Sequence, residues 1–118
     1  MSRMRPAPSR TSQLLHGVLD VCLLAVVADE PAYGYEMIKR LEKRGLGTAR
    51  QGSIYPAVAR LERSGRLESF AQAGNGGPPR KYYRLTDAGR RALADWSSEW
   101  VAARTAVDSV LGTKREAQ

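Results

Sequence analysis

The stretch Gly52-Ser53-Ile54-Tyr55-Pro56-Ala57-Val58-Ala59-Arg60-Leu61-Glu62, followed after a gap by Pro78-Pro79-Arg80-Lys81-Tyr82-Tyr83-Arg84-Leu85-Thr86-Asp87-Ala88, decides the architecture. Ile54, Val58 and Leu61 recur at helical spacing and predict one buried stripe on a helix from about Gly52 to Gly65. Pro56 is tolerated only in a first turn, where its missing N–H costs no hydrogen bond, so that helix should start near Gly52 or Ser53. Gly52, Ser53, Pro56, Ala57, Arg60 and Arg63 are then expected on the side away from the stripe. Residues 67–71 and 81–85 read as short strands, and Gly74-Asn75-Gly76-Gly77-Pro78-Pro79 between them can be little else than a loop. Strand alternation sends Lys81 and Tyr83 to one face and Tyr82 and Arg84 to the other, so one tyrosine should pack in the core.

Upstream, residues 13–28 are apolar on almost every side of a helix, from Leu14 and Leu15 to Val26 and Val27, which requires cover beyond what one small domain supplies. Asp29-Glu30-Pro31 ends it. A second helix is expected over about Tyr33 to Arg44, with Tyr33, Met37 and Leu41 on one face. Lys39, Arg40, Lys43 and Arg44 crowd its end, where they suit the helix dipole or meet phosphate, and Gly45 is a natural residue just past it. Downstream, Thr86 is a good N-cap for a last helix with Asp87 in its first turn. Along that helix Leu93, Trp96, Trp100, Ala103, Val107 and Val110 alternate three- and four-residue steps, the seam of a helix that pairs with another helix.

The chain has 118 residues, within the range of one domain, and a net charge of +7. Residues 31–85 carry 11 Lys/Arg against 4 Asp/Glu, residues 1–12 add three arginines and no acid, and residues 86–118 balance at five against five. The positive excess thus lies on an N-terminal arm and the middle of the chain, where a polyanion would be met. Cys22 is the single cysteine, which excludes an internal disulfide and a cysteine-based metal cluster and fits a reducing, cytoplasmic setting. The apolar run after Arg3, Arg5 and Arg10 is interrupted by His16 and Asp20, which argues against a signal peptide and a membrane span. His16 has no neighbouring acid or nucleophile pattern, and there is no P-loop, GxGxxG or metal-ligand cluster, so the expectation is no catalysis, no cofactor and no metal.

Three helices, a basic hairpin and a pairing helix predict a mainly α fold with a small β-hairpin wing: a winged helix-turn-helix followed by a C-terminal dimerisation helix. The expected divisions are a basic arm at 1–12, the winged helix at 13–86, the dimerisation helix at 87–113 and a tail at 114–118. In such a fold the third helix enters the major groove while cations on wing and arm neutralise phosphates. Arg60 is expected to face outward and reach DNA.

The motifs Gly34-Tyr35-Glu36, Gly52-Ser53-Ile54-Tyr55-Pro56, Arg60-Leu61-Glu62 and Gly77-Pro78-Pro79-Arg80-Lys81-Tyr82-Tyr83-Arg84-Leu85-Thr86, in unbroken order, resemble the signature of PadR-like bacterial transcriptional regulators. The resemblance spans about residues 13–90 and, with one helix after residue 86, points to the short subfamily. It implies a homodimeric repressor whose last helix, helped by the first, builds the dimer, with Tyr35, Ser53, Tyr55, Arg80 and Lys81 at or near DNA. Joined to the residue reading, the expected partner is double-stranded DNA, met by Tyr35, Gln51, Gly52, Ser53, Tyr55, Pro56, Arg60, Arg80, Lys81 and Tyr83. The expected interface between subunits is Leu14, Val18, Leu93, Trp96, Trp100, Ala103, Val107 and Val110. Multidrug-responsive members of the short subfamily place a tryptophan on this helix facing a pore between subunits. Counting from Arg80-Lys81-Tyr82-Tyr83 puts it at Trp100, so Trp96 and Trp100 are either dimer packing or a site for a small planar aromatic effector. The alternative reading from another class is a winged-helix interaction module whose basic wing docks an acidic protein partner; steep salt dependence with DNA alone separates the two.

Overall fold

The computed structural model describes residues 17–47, 51–74 and 76–112, with the side chains of residues 51–53 excepted. The arm at 1–12, Leu14, His16 and the tail at 114–118 lie outside the described residues.

Helix α1 (Leu19–Val26) drives Leu23, Leu24 and, just past its end, Val27 into the core, each 2% exposed or less. Leu19, Cys22 and Val26 stay half-buried beside it. Burial pushes the Cys22 thiol above its ordinary value of 9.0, so at neutral pH it stays protonated and acts as a packing group. The chain then turns at Pro31 into β1 (Ala32–Tyr33), a two-residue strand that the short apolar pattern did not foreshadow. Tyr33 therefore caps helix α2 (Gly34–Lys43) instead of lying on its apolar face, and its N–H donates to Glu36 Oε1 at 3.3 Å. Met37, Ile38 and Leu41 form the buried face of α2. Gly45 ends it at φ 98°, with Leu46 N–H returning to the Leu41 carbonyl at 2.9 Å, the bond that a left-handed residue past a helix end allows.

Helix α3 (Gln51–Arg63) buries Ile54, Ala57, Val58 and Leu61 to 2% or less. The stripe is as the spacing implies, widened by Ala57, which was expected on the opposite side. The helix starts at Gln51, so Pro56 falls in the second turn, where the Gly52 carbonyl receives no N–H from position 56. Strands β2 (Leu67–Gln72) and β3 (Arg80–Leu85) follow, paired antiparallel from Leu67↔Leu85 to Gln72↔Arg80. Strand β1 joins the other edge of β3, giving the order β1-β3-β2, so the hairpin is a three-stranded sheet. Helix α4 (Asp87–Leu111) starts where the Thr86 hydroxyl accepts the Gly89 N–H at 2.9 Å.

Of the four cations at the basic end of α2, Arg40 is committed to the chain's own backbone. Its guanidinium donates to the carbonyls of Val26, Glu30 and Pro31 at 2.6, 2.8 and 3.2 Å, fastening the α1–β1 connection to α2. This is carbonyl capping, using the planar fork that only arginine offers. Hydrogen bonds from charged donors are worth about 1.5–3 kcal/mol each and overlap when lost together, so Arg40→Ala should cost about 2–3 kcal/mol in a urea melt. Arg40→Lys should recover little, because one ammonium cannot span three carbonyls. A midpoint unchanged by Arg40→Ala would remove this anchor from the account.

Candidate nucleic-acid interface

Burying four residues on one side of α3 leaves the other side open. Tyr55 is 47% exposed, and Pro56 and Arg63 are exposed with it. Tyr55 lies against Gly34 at the start of α2; a Cβ added there would run into the ring. The glycine is thus what lets α2 and α3 approach, and Tyr35, 49% exposed, emerges beside them. Gln51, Gly52 and Ser53 form the first turn of α3 by their backbone, and their side chains lie outside the described residues.

The two faces of the sheet divide the wing. On the helix side lie Lys81 and Tyr83, in alternation with buried Leu85. Tyr83 packs against the core and is 5.5 Å from the Lys81 ammonium, so it is the packing tyrosine, contrary to its expected place among the DNA-facing residues. Lys81 reaches Glu62 Oε1 of α3 at 3.4 Å while Ser69 donates to Glu62 Oε2 at 2.8 Å, which fixes the wing to the helix. Tyr83 and then Glu62 raise the Lys81 pKa above its ordinary 10.5, so it is a cation throughout the physiological range. On the outer face Tyr33, Tyr82 and Phe70 form a row across all three strands, with centroids 5.3 and 5.8 Å apart. Arg80 lies over Tyr33 at 4.6 Å and Arg84 over Phe70 at 4.7 Å. Sequence reasoning missed Tyr33 and Phe70; the signal available was Phe70 at the matching register of the hairpin.

Arg60 is exposed, as expected, and carries an ion pair that the spacing did not foreshadow. Its position is on the flank of α3 toward α1, and its Nη2 lies 2.9 Å from Asp20 Oδ1. The pair leaves Arg60 half exposed, and Arg63 is exposed beside it.

The predicted seam of α4 splits in two. Leu93 and Trp96 turn inward and pack against the chain's own core, with the Arg66 guanidinium 5.0 Å over the Trp96 ring. Trp100, Val107 and Val110 are 42%, 54% and 85% exposed, and Ala103 is exposed among them. Between α1 and α4 is an open cleft of about 470 Å³, lined by Val18, Val21, Asp20, Trp96, Glu99 and Trp100 among others. Among the described residues no helix is long and apolar enough to cross a membrane, and no cluster of His, Cys, Asp or Glu could hold a metal.

The model of the transcriptional regulator PadR-like family matches residues 23–95, from α1 into α4. The chain belongs to this family. A PadR-like transcriptional regulator from Bacillus cereus superimposes with a TM-score of 0.77 at 37% identity, covering 87% of this chain and 100% of that one. A PadR family regulator from Eggerthella lenta gives 0.76 at 36% identity, covering 88% and 90% of the two chains. A probable transcriptional regulator from Mycobacterium tuberculosis is 29% identical over 65% of this chain and 42% of its own length. The fold is the winged helix of PadR-like regulators, and the family comprises transcriptional regulators, not enzymes.

Proposed function

We propose that this PadR-like regulator is a cytoplasmic homodimeric repressor that reads a pseudo-palindromic operator and is released from it by a small planar aromatic effector. The observation that carries the reading is the asymmetry of α3. Its apolar residues are spent on the core, while among the described side chains its opposite side presents Tyr55, Pro56, Ala59, Arg60 and Arg63 beside a wing edged by Arg80, Lys81 and Arg84. A helix that turns a tyrosine and arginines outward brings hydrogen-bonding groups to base edges in a groove, and flanking cations hold the phosphates on either side.

In this reading the first turn of α3, with Gln51, Gly52 and Ser53, enters the major groove together with Tyr55 and Pro56. Tyr35, Arg80 and Lys81 position the backbone. Dimerisation uses Trp100, Ala103, Val107 and Val110 of α4, which are bare in one chain, with Val18 just ahead of α1 and the sequence-expected Leu14. The cleft between α1 and α4 opens toward the same partner and would receive the effector against Trp96 and Trp100, which offer aromatic faces.

The test is the salt dependence of binding to duplex DNA by purified protein. Counterion release should make affinity fall steeply between about 50 and 200 mM salt, by roughly 10³–10⁵ for six to ten phosphate contacts. Lys81→Ala should weaken binding to all sequences and flatten that slope by about 1. Capture of an acidic protein with no affinity for any duplex would replace this function with that of an interaction module.

A further inference from the structure

The Asp20–Arg60 pair joins two regions that are otherwise described separately. Asp20 stands on α1 and Arg60 on α3, forty residues apart, with their charged atoms 2.9 Å apart and their side chains 29% and 53% exposed. Asp20 also lines the cleft between α1 and α4, together with Trp96, Glu99 and Trp100. On its other side, Asp20 and Trp96 border a second hollow whose wall is Arg60, Arg63, Ser64 and Arg66, the end of α3 and the turn after it. One carboxylate and one indole are therefore the partition between the cleft and the end of the recognition helix.

The cleft's own chemistry says what would compete for that carboxylate. Among the described residues its lining contains two acids, Asp20 and Glu99, two tryptophans and no base. Such a lining favours an aromatic cation over a neutral or anionic compound, through ring quadrupoles and carboxylates together. A cation that engages Asp20 in the cleft weakens its hold on Arg60, because one negative charge is then shared between two cations and the carboxylate is drawn toward the cleft.

We infer that Asp20 is a positioning residue for DNA binding: it seats α3 through Arg60, and an aromatic cation in the adjacent cleft weakens operator binding by drawing Asp20 away. The inference rests on the DNA-binding reading above and adds the charge of the effector and the contact through which it acts. Exposed ion pairs contribute little singly, and two in a dimer correspond to about a 2- to 30-fold change in operator affinity. That range overlaps the roughly 5–150-fold couplings by which effectors shift occupancy.

The experiment uses the full chain, an operator duplex selected with it, and N-methylquinolinium with neutral quinoline as the uncharged counterpart. Asp20→Asn and Arg60→Gln should each lower operator affinity about 2- to 30-fold with dimerisation intact, and the double variant should lose no more than either alone. Exchanging the charges, Asp20→Arg with Arg60→Asp, should restore most of the loss. N-methylquinolinium should release wild-type protein from the operator more than quinoline does, and Asp20→Asn should abolish the difference. In the absence of DNA, the Arg60 guanidinium resonance should move on adding N-methylquinolinium toward its position in Asp20→Asn. Additive single losses, equal release by both compounds, or an Arg60 resonance that ignores the cation would each overturn the inference. The resonance decides even if wild-type protein binds no duplex, an outcome that would instead refute the DNA-binding reading.

Discussion

Val107→Asp is expected to leave the protein monomeric and abolish operator binding, if α4 builds the dimer proposed above. Val107 is 54% exposed on one chain, in the middle of a stretch of α4 that also leaves Trp100, Val110 and Leu111 open. A contiguous apolar face of this kind calls for cover. In a two-fold interface the same residue appears from both sides, so the substitution places two carboxylates near each other in a desolvated seam. An uncompensated buried charge costs about 3–5 kcal/mol, which weakens dimerisation by roughly a hundredfold or more. Sedimentation should read a monomer whose thermal melt retains the winged-helix transition, because Val107 contributes nothing to the core cluster of its own chain. A dimer of wild-type strength would place the interface elsewhere.

Gly89→Ala should be the most damaging conservative change in the wing-to-helix junction. A Cβ at Gly89 would collide with the Arg66 carbonyl and come within 3.2 Å of Leu85 Cδ2. That carbonyl already accepts the Thr86 N–H at 3.2 Å, and the Thr86 hydroxyl donates to the Gly65 carbonyl at 2.6 Å while capping α4 through Gly89 N–H. The obstruction is backbone, which cannot swing aside, so several hydrogen bonds lengthen together. Overpacking of this kind costs about 1–3 kcal/mol, and the loss of the cap adds to it. The melting temperature should fall by roughly 10 °C. Gly77→Ala is the matched control, since a Cβ there meets nothing within 4 Å. Equal melting temperatures for the two variants would refute the packing argument. The junction matters to function because it sets the direction of α4, and with it the separation of the two α3 helices in a dimer.

The core stripe of α3, the hairpin, the Thr86 cap and Gly45 were legible because each rests on local chemistry: helical spacing, turn residues, a hydroxyl before a helix, a residue free to adopt positive φ. Strand β1 was not, since two residues carry no periodicity and its pairing with Tyr82 and Tyr83 is a tertiary event. The choice between the wing tyrosines was open in the alternation, yet Leu85 shares the parity of Tyr83 and its apolar side chain marks the covered face. The ion pair of Arg60 was not legible, because the wheel of α3 tells only which side is buried; that α1 brings Asp20 to one flank is set by packing forty residues away. The α4 seam shows the same limit: spacing alone cannot separate Leu93 and Trp96, which serve the chain's own core, from Val107 and Val110, which do not.

The central claim is that two copies of this winged helix read DNA as a symmetric pair. Selection of binding duplexes from a random pool by purified protein tests it most directly. The account predicts enrichment of an inverted repeat whose half-site centres are one helical turn, about 10–10.5 bp, or a multiple of it apart. Enrichment of an asymmetric single site, or of no sequence at all, would contradict it.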